Sequence, residues 1–264
     1  MYSFGFIGCG NMGGALVRSV CKSVAAGEIA VCDYSVEKTQ ALQKELGVQT
    51  VGAEELAKNS RFVVLGVKPQ NMQETLAGIS AALNENPKLT LITMAAGLST
   101  AAILSYAGIV APIIRIMPNT PCALGEGVVL YASNGASAEA LREFRSAFKK
   151  AGKLFPMSEE TLDAAGALSG CGPAFAYMFA EALANGAVEC GVEKSQAVEL
   201  AAQTLLGAAK MIQQYGDPVD LKIKVCSPGG TTLAGVAALE QGKFDEVTAS
   251  AVTAAYARTL ELKR

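Results

Sequence analysis

Short apolar runs rich in β-branched residues alternate with helix-patterned segments through the first half of this chain, and that alternation restricts the fold more than any other feature. Phe4–Ile7, Ile29–Cys32, Phe62–Val67, Thr90–Met94 and Ile113–Met117 are nearly continuous apolar runs, the composition of parallel strands covered on both faces. Between them Met12–Val24, Glu37–Leu46 closed by Gly47, Glu54–Asn59 and Asn71–Leu83 carry helical spacing. Strand and helix in repeated alternation predict a doubly wound sheet. Gly127–Tyr131 adds a strand, and Ala138–Ala151 adds a helix with Ser137 as its N-cap.

Beyond Lys153–Met157 the pattern changes. Ser158 followed by Glu159 and Glu160 reads as a helix cap with acid in the first turn, and from there to Arg264 the periodicity is helical with no convincing strand. The expected organisation is α/β: a Rossmann-type, doubly wound N-terminal domain over 1–158, then an all-α dimerisation and substrate-binding domain over 159–264. Ala180–Ala187 and Ala201–Ala209 are dense in small residues, so helices there can approach closely but build only a thin core. Such a half is expected to gain burial from a second copy.

Composition removes several function classes. Of 264 residues, 51% are hydrophobic and 17% charged, with a formal net charge of −2, which favours neither disorder nor a nucleic-acid surface. Histidine and tryptophan are both absent. Every Ser-His-Asp, Cys-His and His-metal scheme is therefore excluded, no metal site is expected, and acid–base work falls to other side chains or to the substrate. Cysteines at 9, 21, 32, 122, 171, 190 and 226 form no C-x-x-C pair, a pattern that suits isolated thiols in a reducing cytoplasm. The first cationic residue is Arg18, so a secretory signal is not expected. The uncharged stretch between Lys88 and Arg115 is long enough to raise a membrane question. Gly97, Ser99, Thr100, Ser105, Gly108 and Pro112 divide it into a strand (Leu89–Met94), a short helix (Thr100–Tyr106) and a strand, and the chain reads as soluble, without a membrane partner.

Five motifs can carry chemistry. Gly8-Cys9-Gly10-Asn11-Met12-Gly13 follows the first strand and opens the first helix. In this G-x-G-x-x-G arrangement the first glycine makes the turn, the second admits a pyrophosphate and the third packs helix on strand. Asp33 ends the second strand, where an acidic side chain grips an adenosine ribose 2′-hydroxyl in NADH-type sites. Ser35 and Lys38 follow it and suit a 2′-phosphate, and a plain helix cap is the third reading. Val67-Lys68-Pro69 ends a strand at the ligand edge of the sheet, as a nucleotide contact or as a solvated lysine before a helix-starting proline.

Arg115-Ile116-Met117-Pro118-Asn119-Thr120-Pro121 ends another strand, its prolines stiffening a loop that aims Asn119. Ser169-Gly170-Cys171-Gly172-Pro173-Ala174-Phe175 interrupts a helical pattern, at roughly 3 kcal/mol if the proline is interior, either for a packing kink or for close approach to a ligand. Ser227-Pro228-Gly229-Gly230-Thr231-Thr232 feeds the apolar run Leu233–Leu239. It is either an ordinary cap or a helix N-terminus that holds a small carboxylate without a cation.

These motifs, in this order and over nearly the whole chain, resemble the Δ1-pyrroline-5-carboxylate reductase family. Cys171 stands where many members have serine. The resemblance implies the last step of proline biosynthesis, reduction of a cyclic imine by NADPH, with NADH also usable, in homodimers that assemble further into decamers. It assigns Ser227, Gly229, Gly230, Thr231 and Thr232 to the substrate, with Thr232 nearest the imine as the catalytic residue. Gly8, Gly10, Asn11, Met12, Gly13, Asp33, Ser35, Val67, Lys68, Pro69 and Asn119 are the expected cofactor contacts. A β-hydroxyacid dehydrogenase shares the layout but needs an interdomain lysine, and its place is Ala176 here. The same layout also suits a nucleotide-sensing protein without catalysis, or an imine reductase for bulkier rings.

Overall fold

The computed structural model describes residues 1–263. The chain runs β1 (Tyr2–Ile7), α1 (Asn11–Val20), β2 (Ile29–Cys32), α2 (Val36–Leu46), β3 (Gln49–Thr50), α3 (Ala53–Asn59), β4 (Ser60–Leu65), α4 (Pro69–Asn84), β5 (Thr90–Thr93) and α5 (Thr100–Ala107). It continues with β6 (Ile113–Pro118), β7 (Gly127–Asn134), α6 (Ala138–Phe148), β8 (Gly152–Pro156) and α7 (Glu159–Ser169). The last five helices are α8 (Gly172–Glu189), α9 (Lys194–Tyr215), α10 (Pro218–Val225), α11 (Thr231–Gln241) and α12 (Phe244–Leu262).

The strands form one eight-stranded sheet in the order β3-β2-β1-β4-β5-β6-β7-β8. Every neighbouring pair is parallel except β6 and β7, which run antiparallel. Side chains alternate between its faces, as the strand period of two demands. Phe4, Phe6, Phe62 and Val64 join Leu16 of α1 and Phe144 and Phe148 of α6 on one face. Ile7, Val63 and Leu65 meet Met72, Leu76 and Ile103 of α4 and α5 on the other. Chain order reverses at β1, whose successors lie on opposite sides of it, and open α/β sheets place their ligand crevice at such a point.

The strand and helix pattern is as expected from the sequence, with two additions. The two-residue β3 and the edge strand β8 had no apolar signature; β8 carries Lys153 and Pro156, which blunt an edge. The packing divides the chain into two compact units: Met1–Cys171 with the C-terminal residues from Ala255 onward, and Gly172–Ala254. The change in secondary structure lies earlier, at Ser158, and the packing boundary falls after it because α7 packs on the sheet through Leu162, which meets Leu130 and Ala132 of β7. In the second unit Ala184, Ala197 and Ala201 of α8 and α9 form the buried cluster. Helices α10 and α11 bury no residue.

Candidate nucleotide and substrate site

The glycine loop is built as its spacing requires. Gly8 has φ +98°, and a Cβ there would lie 2.5 Å from the Gly66 carbonyl carbon. A Cβ on Gly13 would lie 2.1 Å from the Gly8 carbonyl oxygen, so the third glycine lets α1 sit directly on the loop. Gly10 differs: its φ is −66° and nothing lies within 4 Å of its Cβ position. The second glycine therefore keeps a space open rather than a backbone conformation possible. As N-cap of α1 it provides no side-chain cap, which leaves the first amides of the helix, at Asn11, Met12 and Gly13, available to an anion.

Asp33 closes this loop from the end of β2. One carboxylate oxygen accepts from the Cys9 amide at 2.6 Å and the other from the Ser35 amide at 2.9 Å. The Lys38 ammonium stands 3.6 Å away, with half its side chain exposed. The Ser35 hydroxyl donates to Glu37 at 2.6 Å, an exposed carboxyl that this bond holds below its usual range. Burial, with the Asp33 charge adding to it, pushes the Cys9 thiol up to about 12, so Cys9 is a neutral, inert wall of the loop.

Val67, Lys68 and Pro69 follow β4 at the same edge, with Lys68 exposed at the N-cap position of α4 and Pro69 in its first turn. The structure thus brings the glycine loop, Asp33, Ser35 and the Val67-Lys68-Pro69 segment to the carboxyl ends of adjacent strands. Asn119 stands apart from them in chemistry. It is 6% exposed, its amide donates to the Ser169 carbonyl at 3.0 Å and its oxygen accepts from the Val128 amide at 2.8 Å. Both ends of that side chain brace backbone.

The Ser169–Phe175 interruption proves to be a junction between helices. Helix α7 stops at Ser169 with Gly170 as its C-cap, and α8 opens at Gly172. Pro173 occupies the first turn, where the missing N–H costs nothing, so the interior-proline penalty does not arise. In the second unit, Gly229 has φ +70° and the Gly230 amide donates to the Ser227 carbonyl at 2.9 Å. Gly230 then caps α11 without a side-chain bond. The amides of Thr231 and Thr232 head the helix, with both threonines exposed.

Sequence reading passed over one cluster. Arg115 of β6, 1% exposed, makes a two-pronged pair with the fully buried Asp163 of α7 at 2.5 and 3.1 Å. Lys263 reaches the same carboxylate at 2.7 Å. Burial pushes the Asp163 carboxyl up, but hydrogen bonds and charge from Arg115 and Lys263 outweigh it and hold the group below its usual value. Glu159, 3.8 Å from Arg115, accepts from both the amide and the hydroxyl of Thr100 at 2.7 Å. The available signal was an acid beyond the first turn of its helix, Asp163, among apolar residues, matched to a single cation in an apolar strand.

Comparison with known proteins places this geometry in context. Residues 159–262 match the family model for pyrroline-5-carboxylate reductase dimerisation, and residues 3–97 match that for the NADP oxidoreductase, coenzyme F420-dependent. A pyrroline-5-carboxylate reductase of Arabidopsis thaliana is 36% identical, covering 100% of this chain and 96% of its own. The chain belongs to the pyrroline-5-carboxylate reductase family. The solved reductase of Coxiella burnetii superposes with a TM-score of 0.91 at 32% identity, covering 100% of this chain and 99% of the other. That of Plasmodium falciparum, solved with NADP bound, gives 0.89 at 29% identity over 100% and 98%. In this chain the oxidoreductase match spans the glycine loop, Asp33 and Val67-Lys68-Pro69. The dimerisation match spans α7 to α12, including Ser227–Thr232.

The residues fit a nicotinamide dinucleotide on two independent observations. Open space surrounds the Cβ position of Gly10, and the amides behind it carry no side-chain cap. The family membership fixes the fold class as α/β with a helical dimerisation region, and makes self-association a property of the chain.

Proposed function

We propose that this chain reduces the C=N bond of 1-pyrroline-5-carboxylate to give L-proline, the closing step of proline biosynthesis. The observation that carries the reading is the uncapped N-terminus of α11 behind Gly229 and Gly230, in a chain whose whole length matches reductases of this name. Backbone amides there suit the substrate carboxylate, with the Ser227, Thr231 and Thr232 hydroxyls as further donors.

A reduced nicotinamide dinucleotide, NADPH or NADH, supplies the hydride. Gly8, Gly10, Asn11, Met12 and Gly13 hold its pyrophosphate, Asp33 and Ser35 face its adenosine ribose, and Val67, Lys68 and Pro69 border its far half. Asn119 supports this edge by fixing the Ser169 and Val128 backbone. Without histidine the chain lacks the side chain that titrates near neutral pH, and no protein acid is needed, because the imine nitrogen enters protonated and hydride addition to its carbon yields the neutral secondary amine. Thr232 donates a hydrogen bond that orients this nitrogen, and orientation supplies most of the catalysis.

Residues 1–158 form the nucleotide domain in this reading and 159–264 the dimerisation and substrate domain. Dimers assemble into a decamer in the cytoplasm, where the seven free thiols stay reduced. The net charge of −2 gives no reason to include nucleic acid among the partners. No helix among the described residues is long and apolar enough to cross a membrane.

The test follows nicotinamide absorbance with pyrroline-5-carboxylate, using NADPH and NADH in parallel, against oxidation of a 3-hydroxyacid as control. Imine-dependent nucleotide oxidation is expected. Turnover only in the control favours a hydroxyacid dehydrogenase, for which Ala176 leaves no lysine, and binding without turnover favours a nucleotide sensor.

A further inference from the structure

The buried pair of Arg115 and Asp163 has a third member from outside the sheet and α7. Lys263, just past α12, reaches the Asp163 carboxylate at 2.7 Å with 37% of its side chain exposed, while Asp163 is fully buried. Arg115 already meets that carboxylate with two nitrogens. What Lys263 adds is a fixed place for the end of α12. No residue of α12 is fully buried, so apolar burial does not seat this helix end, and an ammonium on a buried carboxylate does. With the helix end so placed, the Leu262 carbonyl lies against Gly97. A Cβ there would stand 3.0 Å from that oxygen, and the φ of +76° is one that glycine adopts freely.

Gly97 lies in the turn that follows β5. The flanks of the turn are tied to the sheet and to α7: the Met94 amide donates to the Leu65 carbonyl of β4 at 3.5 Å, and Glu159 accepts from the Thr100 amide and hydroxyl. β5 lies two strands from β1, about 10 Å at the usual spacing, and its carboxyl end faces the crevice where such sheets bind ligands. A dinucleotide with its pyrophosphate on the glycine loop and its far half past Val67-Lys68-Pro69 meets this turn next. All of these residues belong to the unit made of Met1–Cys171 and the chain from Ala255 onward.

We propose that Lys263 is a positioning residue for the nucleotide: bound to Asp163, it seats Leu262 against Gly97 and holds the turn after β5 as a preformed wall of the crevice. Lys263 itself touches no ligand and acts through backbone. A turn fixed in advance spares the nucleotide the cost of ordering it. This rests on the nucleotide-binding reading above and not on the identity of the imine.

The experiment compares the full chain with Lys263→Met and Lys263→Arg. Hydrogen exchange of the ligand-free proteins reads the turn, titration calorimetry reads NADPH, and the imine assay separates kcat from KM. Methionine keeps an apolar stem and removes the charge. It is expected to quicken exchange at the Ala95–Leu98 amides by about fivefold, the weight of one partly exposed ion pair, with the Leu91 and Ile92 amides of β5 unchanged. The dissociation constant and KM of NADPH rise about threefold, because only chains with the turn in place bind, and kcat at saturating nucleotide stays within about twofold. Arginine reaches the same carboxylate and restores wild-type exchange and affinity. Exchange that quickens equally in β5 and in the turn marks a general loss of stability and overturns the proposal, as does wild-type NADPH affinity in Lys263→Met. Absence of NADPH binding in the unmodified chain overturns the nucleotide reading and this proposal together. Selective shifts in a chain that binds NADPH but fails to reduce pyrroline-5-carboxylate sustain the proposal and overturn the reaction instead.

Discussion

Gly10 and Gly13 stand three residues apart in one loop, yet alanine at each tests a different physical role. At Gly13 the new methyl would lie 2.1 Å from the Gly8 carbonyl oxygen, where ordinary contact begins at 3.4 Å. Both atoms belong to backbone, so loop and helix must separate by about 1 Å, an overpacking cost of about 2 kcal/mol. For a unit of this size that lowers Tm by about 6 °C. At Gly10 the methyl meets nothing within 4 Å, and the φ of −66° suits alanine. The poorer N-cap costs about 0.5 kcal/mol, and the stiffer unfolded chain returns about the same amount. Stability stays unchanged. If the proposed nucleotide site is right, the methyl projects into the space the pyrophosphate enters, and nucleotide affinity falls at least tenfold, about 1.4 kcal/mol. Scanning calorimetry and titration of NADPH on both variants separate the two effects. Wild-type affinity in Gly10→Ala, or a wild-type Tm in Gly13→Ala, would refute the division of labour.

Asp163→Asn leaves Arg115 buried beside a neutral partner, and is expected to cost about 3 kcal/mol and lower Tm by about 9 °C at neutral pH. Because the folded carboxyl is held below its usual value, its contribution is complete above the unfolded pKa of about 3.9 and vanishes as pH falls through the lower folded value. Wild type and variant should therefore converge in urea titrations at acid pH, and a constant gap would contradict the assignment. Thr232→Ala lowers kcat for the imine, by about tenfold if a single oriented hydrogen bond is lost, and leaves the NADPH dissociation constant unchanged; wild-type turnover would remove Thr232 from the site. Since association stabilises the folded chain, the Tm should rise with protein concentration, and one that stays constant over about a hundredfold dilution would argue against an obligate dimer.

Much of the backbone geometry at the candidate site was legible because it is local. Strand, glycine turn and helix are consecutive in Phe4–Gly13, and their roles follow from backbone clearance alone. The Gly229-Gly230 turn into α11 was legible for the same reason. What escaped depends on partners distant in sequence. Asn119 looked like a ligand-facing amide until Ser169 and Val128 were found on its two ends. Asp33 was read as a ribose grip or a helix cap, and neither reading contained the bond from the Cys9 amide, which comes from another loop. Asp163 became meaningful only when Arg115 and Lys263 converged on it. β3 and β8 were missed because they are exposed edge strands, and an edge has no need of an apolar pattern.

The helical unit poses the reverse problem, since its pattern was legible and its stability is not explained by its own packing. Helices α10 and α11 bury no side chain, while Tyr177, Met178, Leu206, Met211, Ile223 and Val247 are each at least 47% exposed. Isolated helices of such length are marginal in water, and tertiary burial supplies most of their stability. A cluster of three buried alanines cannot provide it. The apolar faces left open therefore belong to contacts a single chain does not make, and the dimerisation match over 159–262 supplies their chemistry in a second copy. The same dependence reaches the anion cradle proposed at the head of α11, because Ser227, Gly229, Thr231 and Thr232 are exposed in one chain. Amide donors hold a carboxylate strongly only where water is excluded. Folding of this half, association and tight substrate binding are on this argument one thermodynamic event, and the alanine-rich composition that lets helices approach closely is the sequence trace of it.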